Sequence, residues 1–366
     1  MKIIITGATG FVGRNLVKIL KKNKVELLLV GRKKDKLVNI FPGERVCDYD
    51  ELTEHINKFE ILIHLAAINN NGKFSYEEFK KINVNLLYDI AKLSEENKIK
   101  YFFNFSTFHI IDSHNKSDYA MTKEEGIKKI SKLKKVKIFN LILPIIYSDE
   151  WSGKLKFLNS FPKKFAKIIF YFLSALKPTV SLNLVVKRIY EIIDNNAYEN
   201  KNIIISEDIS KNHIYNLFSK SIDLIFVLLS FTILIWLKIL IYIFLKLSSS
   251  ESALFAQKRV GFKQSIFTCY KFRTMKVDTP QKGTHEISSN SITKFGNFLR
   301  KFKLDELPQS FNIIKNEMTL IGPRPCLASQ NELIRERNNK DIFSVKPGIT
   351  GLAQINNIDM SNPKKL

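Results

Sequence analysis

Lys2-Ile-Ile-Ile-Thr6-Gly7-Ala-Thr-Gly10-Phe11-Val12-Gly13 opens the chain as a short β-branched run that passes into three spaced glycines, and a helical pattern follows to about Lys22. Glycines at this spacing permit a tight turn, let backbone approach a pyrophosphate, and let the helix pack close on the sheet. The triplet follows a strand and opens a helix, the context in which it signifies a dinucleotide site. Gly7, Gly10, Phe11, Val12 and Gly13 are then the residues expected around the phosphates. No signal-peptide pattern is expected ahead of a strand that begins at once.

Further strands are expected at Val25–Val30, Glu60–Leu65, Tyr101–Phe105 and Val136–Leu143, with helices between them. That alternation points to an α/β domain with a doubly wound parallel sheet of the Rossmann type. The second strand ends in Gly31-Arg32-Lys33, where NAD-preferring proteins carry an acidic residue for the ribose hydroxyls. Arg32 there favours NADP(H), with NAD as the alternative in a chain so rich in lysine.

A length of 366 residues suggests two domains, and 45% hydrophobic content supports real cores. The formal net charge of +23 calls for an anionic partner or surface. No nucleic-acid-binding signature accompanies it. Lysines crowd around apolar segments, which makes anionic lipid headgroups the better candidate and a simple lysine bias the alternative. Cys47, Cys269 and Cys326 show no metal-ligand spacing, and their odd number fits a reducing cytosol. His109 and His114 gather no ligand set and are expected on the surface.

The first part of the chain, about residues 1 to 205, resembles the extended short-chain dehydrogenase/reductases, the epimerase/dehydratase family of nucleotide-sugar enzymes. The resemblance rests on the glycine triplet, Asp48, His64-Leu65-Ala66-Ala67, Asn83-Val84, Ser106-Thr107 and Tyr119-Ala-Met-Thr-Lys123. It implies that Asp48 meets the adenine end of the cofactor, that Ala66 lines its path, and that Thr107 hydrogen-bonds the reacting oxygen. It also implies that Tyr119 exchanges a proton with the sugar while Lys123 holds the nicotinamide ribose. Tyr119 and Lys123, at i and i+4, project from one helix face. A phenol of unperturbed pKa about 10 is expected to be lowered by that ammonium. In place of the family's Tyr-Gly after the Ser-Thr strand stands His109-Ile-Ile-Asp112, and the substrate lobe is short. Within it Lys163–Lys177 mixes lysines with bulky apolar residues, and reads either as a core helix or as a helix lying on a membrane.

Towards the C-terminus the chain reads Lys303-Leu-Asp305-Glu306-Leu-Pro308-Gln309, then Met318-Thr-Leu-Ile-Gly-Pro323-Arg324-Pro325. Proline is tolerated in the first turn of a helix, so Asp305 and Glu306 are expected at a helix N-terminus, where phosphate is attracted. Upstream, Leu224–Leu245 is 22 residues with one charge, Lys238. That is long enough to span a bilayer.

Residues Lys220 to Asn357 resemble the bacterial sugar transferases, the monotopic polyprenyl-phosphate phosphoglycosyl transferases. The matching blocks are Phe255–Gly261, Tyr270–Met275, Gly296–Arg300 and Lys346–Asn356, with the two stretches above. The resemblance implies a double displacement in which Asp305 attacks the sugar-bearing phosphate of a UDP-sugar, releases UMP, and passes the phosphosugar to undecaprenyl phosphate. Glu306, about 100° further round the helix, is expected to bind Mg2+. Lys271, Arg273, Arg300 and Arg324 are expected to hold the diphosphate. The family's apolar segment is a re-entrant hairpin broken at Ser-Pro; here Ile235-Trp236 occupies that position, and Lys238 is expected to reach headgroups from a shallow bend. Family members continue beyond the last block, so truncation and a short variant are both open readings of the end at Leu366.

The expected organisation is a nucleotide-sugar reductase or epimerase domain over 1–210, followed over 218–366 by a re-entrant helix (224–245) and a small, mainly helical transferase domain. The expected location is the bacterial inner (cytoplasmic) membrane, with both catalytic domains facing the cytoplasm, membrane lipid as a partner and oligomers possible. A 4-keto-sugar reductase is preferred for the first domain, with an epimerase or a non-catalytic scaffold as the alternatives.

Overall fold

The computed structural model describes residues 1–70, 72–112, 114–195, 201–248, 251–276, 279, 291–356 and 358. The chain divides into two compact units, Met1–Ile214 and Tyr215–Leu366.

The first unit is built on a seven-stranded parallel sheet. Its strands are β1 (Lys2–Thr6), β2 (Glu26–Val30), β3 (Arg45–Cys47), β4 (Ile61–His64), β5 (Tyr101–Thr107), β6 (Lys137–Leu143) and, after the short pair β7 (Ile145–Tyr147) and β8 (Thr179–Ser181), β9 (Lys201–Ile204). The spatial order is β3-β2-β1-β4-β5-β6-β9. The reversal between β1 and β4 is the doubly wound switch point, at which ligands bind beyond the strands' carboxyl ends.

Strand alternation sorts the core into two layers. Ile3 and Ile5 face Leu16, Val17 and Leu20 of helix Phe11–Lys22, together with Phe103 and Phe139. Ile4 faces the other way, onto Leu87, Ile90, Ala91 and Ile130. Both faces are covered, which is why β4 and β5 are buried along their whole length and read as unbroken apolar runs. Asn104, Asn140 and Asn202 interrupt that run as a side-chain relay of 2.8 and 2.9 Å across three neighbouring strands.

In the small lobe, helix Lys163–Leu176 buries Ala166, Phe170 and Ala175. Phe170 and Ala166 pack on Trp151 and Leu158. One face of this helix is therefore core, while Phe165, Ile168, Phe172 and Leu176 on another are exposed.

The second unit begins within helix His213–Thr232 and continues into helix Ile235–Ser248. The apolar segment is interrupted at Ile233–Leu234, where the amides of both residues bond to the carbonyl of Leu229. The break forms without a proline, two residues ahead of Trp236. His213–Thr232 is long and apolar enough to cross a membrane by length and composition. On their inner sides, Phe226 and Val227 pack with Phe267, Cys269, Ile313 and Met318, and Ile241 and Leu245 pack with Phe272, Leu299 and Leu307. Their other sides, including Leu224, Leu228, Trp236 and Leu240, are exposed. Lys238 does not reach outward as expected. It is buried, donates to Ser310 Oγ at 3.0 Å, and lies 4.1 Å from the Phe231 ring centroid.

Helices make up most of this unit, yet small sheets that a mainly helical reading did not anticipate hold its centre. β10 (Leu254–Val260) and β11 (Ile266–Phe272) pair antiparallel from Leu254 opposite Phe272 to Val260 opposite Ile266. β13 (Cys326–Leu327) adds to the other edge of β10, and β12 (Thr319–Ile321) pairs in parallel with β14 (Gly348–Thr350). Asp223 ties the first apolar helix to β12, accepting from Leu320 N at 2.7 Å and from Thr319 Oγ1.

Candidate active sites

Each unit carries a site of its own. In the first, Gly7 has φ +72°, and a Cβ there would lie 2.6 Å from the backbone nitrogen of Ala66. A Cβ on Gly13 would meet Ala8 at the same distance. These two glycines let the β1 turn, the residues after β4 and the first helix close on one another. Gly10 differs: its nearest obstruction is the Gly7 carbonyl at 3.5 Å, and as helix N-cap it offers the first-turn amides no side-chain acceptor. Open backbone at an uncapped helix N-terminus suits a pyrophosphate, so the residues present fit a dinucleotide.

Arg32 is exposed just beyond β2. Asp48, just beyond β3, has its Oδ1 engaged by the amides of Asp50 and Glu51 at 3.0 and 2.9 Å. Thr107 ends β5, and its hydroxyl accepts from His109 N at 3.3 Å and opposes part of the upward shift that burial gives the Tyr119 phenol. The net direction for Tyr119 is upward, not the lowering expected from its neighbouring lysine. The reason is that Lys123 turns elsewhere, with Nζ donating to the Phe105 carbonyl at 3.1 Å. Burial brings Lys123 down to about 8. His64, at the end of β4, accepts or donates through Nδ1 with Thr6 Oγ1 at 2.9 Å and is held neutral, at about 3, by burial and by Lys123. His109 lies edge-on to the Tyr119 ring at 6.2 Å, in a stretch where the sequence offered no ligand set.

In the second unit, Lys303 adopts φ +58° and starts a 3-10 turn, Leu304–Gln309, that runs on into helix Ser310–Ile314. Asp305 and Glu306 occupy its first turn and are only 6% and 7% exposed. Glu306 Oε1 accepts from Lys271 Nζ at 2.6 Å and from Arg324 Nη2 at 3.1 Å. Burial would push the Glu306 carboxyl up, but Lys271 and Arg324 outweigh it and hold it below the usual carboxylate range. Asp305 goes the other way. Burial raises it, with only partial relief from Lys271 and Arg300.

The four expected cations separate. Lys271 and Arg324 meet at Glu306. Arg300 donates to Thr274 Oγ1 at 2.8 Å and acts on Asp305 through its charge. Arg273 is turned away, bonding the Ser252 carbonyl at 2.9 Å and pairing with Glu251 at 3.4 Å. A small cleft beside Glu306 is also lined by Arg259 and Gln309, which the sequence reading missed. Arg259 bonds the Pro325 carbonyl at 3.2 Å and Gln257 at 2.6 Å, and Arg337 bonds the Arg324 carbonyl at 2.6 Å. Among the described residues no three His, Cys, Asp or Glu side chains gather as a metal cage. A hard dication commonly takes only one or two carboxylates plus substrate phosphates, and Asp305–Glu306 fits it in that partial way.

Residues 3–142 match the NAD dependent epimerase/dehydratase family, and residues 214–365 match the bacterial sugar transferases. An epimerase/dehydratase-family domain precedes a bacterial sugar transferase domain. Among curated proteins, the chain is 41% identical over 111 residues to "Uncharacterized sugar transferase EpsL" of Bacillus subtilis (strain 168), covering 30% of this chain and 54% of that protein. It is 43% identical over 115 residues to the UDP-glucose:undecaprenyl-phosphate glucose-1-phosphate transferase of Escherichia coli (strain K12), covering 30% of this chain and 25% of that one. The chain thus spans about half or less of the length of these relatives. Among solved structures, UDP-N-acetylglucosamine 4-epimerase from Bacillus cereus superimposes with a TM-score of 0.45 at 16% identity, over 57% of this chain and 76% of that one.

Within the sugar transferase domain, the signal that could have found Arg259 was its place in the Phe255–Gly261 block, one strand away from Lys271. Opposite Phe267 on β11, it lies in the same small sheet as the lysine that pairs with Glu306.

Proposed function

We propose that the chain is a bifunctional, membrane-associated enzyme of polysaccharide biosynthesis. Its first domain reduces a UDP-4-keto sugar, and its second transfers a phosphosugar from a UDP-sugar to undecaprenyl phosphate. The observation that carries the transferase reading is the buried Asp305–Glu306 pair, with Lys271 and Arg324 on one of its carboxylates and the other left to react.

Asp305 Oδ attacks the phosphorus bearing the sugar. A P–O bond to the carboxylate forms as the bond to UMP breaks, and UMP leaves with the electron pair. The phosphate oxygen of undecaprenyl phosphate then attacks the same phosphorus and releases the carboxylate. A carboxylate needs no general base once ionised. Lys271 and Arg324, held by Glu306, and Arg300, near Asp305, would neutralise the diphosphate. Glu306 would supply a ligand to Mg2+, which would add further charge neutralisation.

In the first domain Gly7, Gly10 and Gly13 would cradle the cofactor's pyrophosphate, Asp48 and Ala66 would line its adenine and ribose path, and Arg32 would meet a 2′-phosphate. The nicotinamide supplies hydride when bound. Tyr119, kept protonated by burial, gives its proton to the ketone oxygen. Lys123 orients the ribose.

The interrupted helix pair, with its outer faces apolar, supports a re-entrant anchor that leaves both domains at the cytoplasmic face of the inner membrane. Nicotinamide cofactors and UDP-sugars are both cytoplasmic, which requires both sites on that side.

The deciding experiment follows UMP release from candidate UDP-sugars by membranes carrying the wild-type chain or Asp305→Asn. Release by the wild type and none by the variant is the expected result. Robust release by Asp305→Asn would overturn the covalent mechanism.

A further inference from the structure

Phe165, Ile168, Phe172 and Leu176 recur on helix Lys163–Leu176 at the spacing that places them on one stripe, and they are 51%, 55%, 50% and 69% exposed. Phe161, just ahead of the helix, extends the stripe, with its ring centroid 5.7 Å from that of Phe165. The opposite face is already used, since Phe170 and Ala166 fill the lobe core. An apolar patch of this kind on a soluble surface marks an interaction site.

Charge says what covers it. From Trp151 to Tyr190 the sequence contains no Asp or Glu, yet it carries Lys154 and Lys156 ahead of the helix, Lys163, Lys164 and Lys167 in its first two turns and Lys177 at its end. Lys163, Lys164 and Lys167 lie in the first two turns, with no acidic residue there and no side-chain cap. Cations at a helix N-terminus oppose the helix dipole, so helix stability does not account for them. A protein partner offers no reason for so even a rim of lysines, whereas long cationic stems around aromatic anchors suit lipid headgroups.

Continuity with the anchor is the second observation. Asn212 Nδ2 donates to the Tyr171 carbonyl at 2.9 Å and to Ser174 Oγ at 3.1 Å. The amide of His213 donates to Tyr171 Oη at 2.7 Å. Helix Lys163–Leu176 is therefore hydrogen-bonded to the residues at which the long apolar helix His213–Thr232 starts. We infer that the epimerase/dehydratase-family domain has its own lipid contact, in which Phe161, Phe165, Ile168, Phe172 and Leu176 insert into an anionic bilayer surface beneath a rim of lysines. This goes beyond the anchoring proposed for the second domain, though the argument from continuity rests on it.

The test uses the full chain in lipid nanodiscs, with one nitroxide label at a time through Ile168→Cys, Phe172→Cys, Lys187→Cys or Trp236→Cys. The native Cys47, Cys269 and Cys326 are buried and leave the labelling specific. Accessibility is read with oxygen, which partitions into lipid, and with a water-soluble nickel chelate. In discs containing phosphatidylglycerol, labels at 168 and 172 should collide with oxygen and be shielded from nickel, and the label at 187 should do the reverse. In pure phosphatidylcholine discs the contrast at 168 and 172 should shrink several-fold. Nickel-accessible labels at 168 and 172 in both kinds of disc would overturn the proposal. Shielding from both reagents with spin–spin broadening would also overturn it, in favour of a second copy of the chain. Equal lipid contact in both discs would overturn the anionic component. Position 236 reports the second domain separately: a water-exposed label there would sink the anchor reading while leaving the result at 168 and 172 to be read on its own.

Discussion

Lys238 Nζ, in the first turn of the second apolar helix, donates to Ser310 Oγ at 3.0 Å across 72 residues of sequence. Ser310 directly follows the turn that carries Asp305 and Glu306, and its hydroxyl also donates to the Leu307 carbonyl at 2.9 Å. The bond thus fastens the second apolar helix to the end of the turn that carries Asp305 and Glu306. Ser310→Ala strands a buried ammonium against ring faces alone and should cost roughly 1–3 kcal/mol. Lys238→Met removes the charge together with its need for a partner, and should cost less. Thermal inactivation of UMP release should therefore rank Ser310→Ala as the less stable variant. The reverse order would mean that the ammonium is satisfied from another source.

Local rules carried the sequence reading where the structure is local. Gly7 and Gly13 were legible because a Cβ at either would strike backbone at 2.6 Å, a constraint that leaves its mark as glycine. Asp305 and Glu306 do fall in a first turn, although Pro308, whose tolerance near a helix start suggested it, sits further inside the same 3-10 turn. The readings that failed depended on distant partners. The i, i+4 spacing put Tyr119 and Lys123 on one face but could not show Lys123 Nζ reaching the Phe105 carbonyl. Lys271 and Arg273, two residues apart, would share one face of a continuous strand, and nothing local showed that β11 ends at Phe272 and leaves Arg273 to the Ser252 carbonyl and Glu251. The break at Ile233–Leu234 carries no proline, so no residue announced it.

The carboxylate pair makes a prediction about pH. Burial raises Asp305 above its ordinary range, and Lys271 is the first charge that opposes the shift. An attacking carboxylate must be ionised, so kcat/KM should fall as pH drops through this raised value, above the ordinary Asp pKa of about 3.9. Lys271→Met withdraws the opposing charge and should move the acid limb of the residual activity to higher pH. An acid limb that stays in place in the variant would show that Asp305 is not the group being titrated.

Arg32 stands exposed just beyond β2, the sequence position at which a dinucleotide-binding fold commonly meets the adenosine ribose. The chain should bind NADPH more tightly than NADH, and Arg32→Asp should reverse the order. Loss of one charge-assisted contact corresponds to about a 10- to 100-fold change. Fluorescence titration of the full chain with both cofactors checks it, and equal affinities in the wild type would remove the basis for preferring a reductase.

Tyr119→Phe removes the proton donor while leaving Gly7, Gly10 and Gly13 untouched. Ketone reduction should fall by roughly 10²–10⁴-fold, with NADPH binding retained. Transfer of a ready-made phosphosugar by the second domain should persist. If both activities fell together, the two domains would be structurally dependent on each other; if neither fell, the first domain would be a scaffold.

The interrupted apolar segment predicts a topology. Ser221 and Ser248 are exposed near either end of the helix pair, while the native cysteines are buried. Cysteines introduced by Ser221→Cys and Ser248→Cys should each react with a membrane-impermeant maleimide only when the cytoplasmic face is open. On the proposed re-entrant reading the interruption at Ile233–Leu234 would return the chain to the side it entered from, whereas an unbroken helix of this length could span the bilayer. The lysines at both ends, Lys220 and Lys246, favour neither direction. On the proposed function the decisive constraint is chemical, because a nicotinamide cofactor and a UDP-sugar would both have to be reached from the cytoplasm. Labelling of one position from outside the cell would establish a spanning segment, and one of the two activities would then have to be abandoned for lack of access to its substrate.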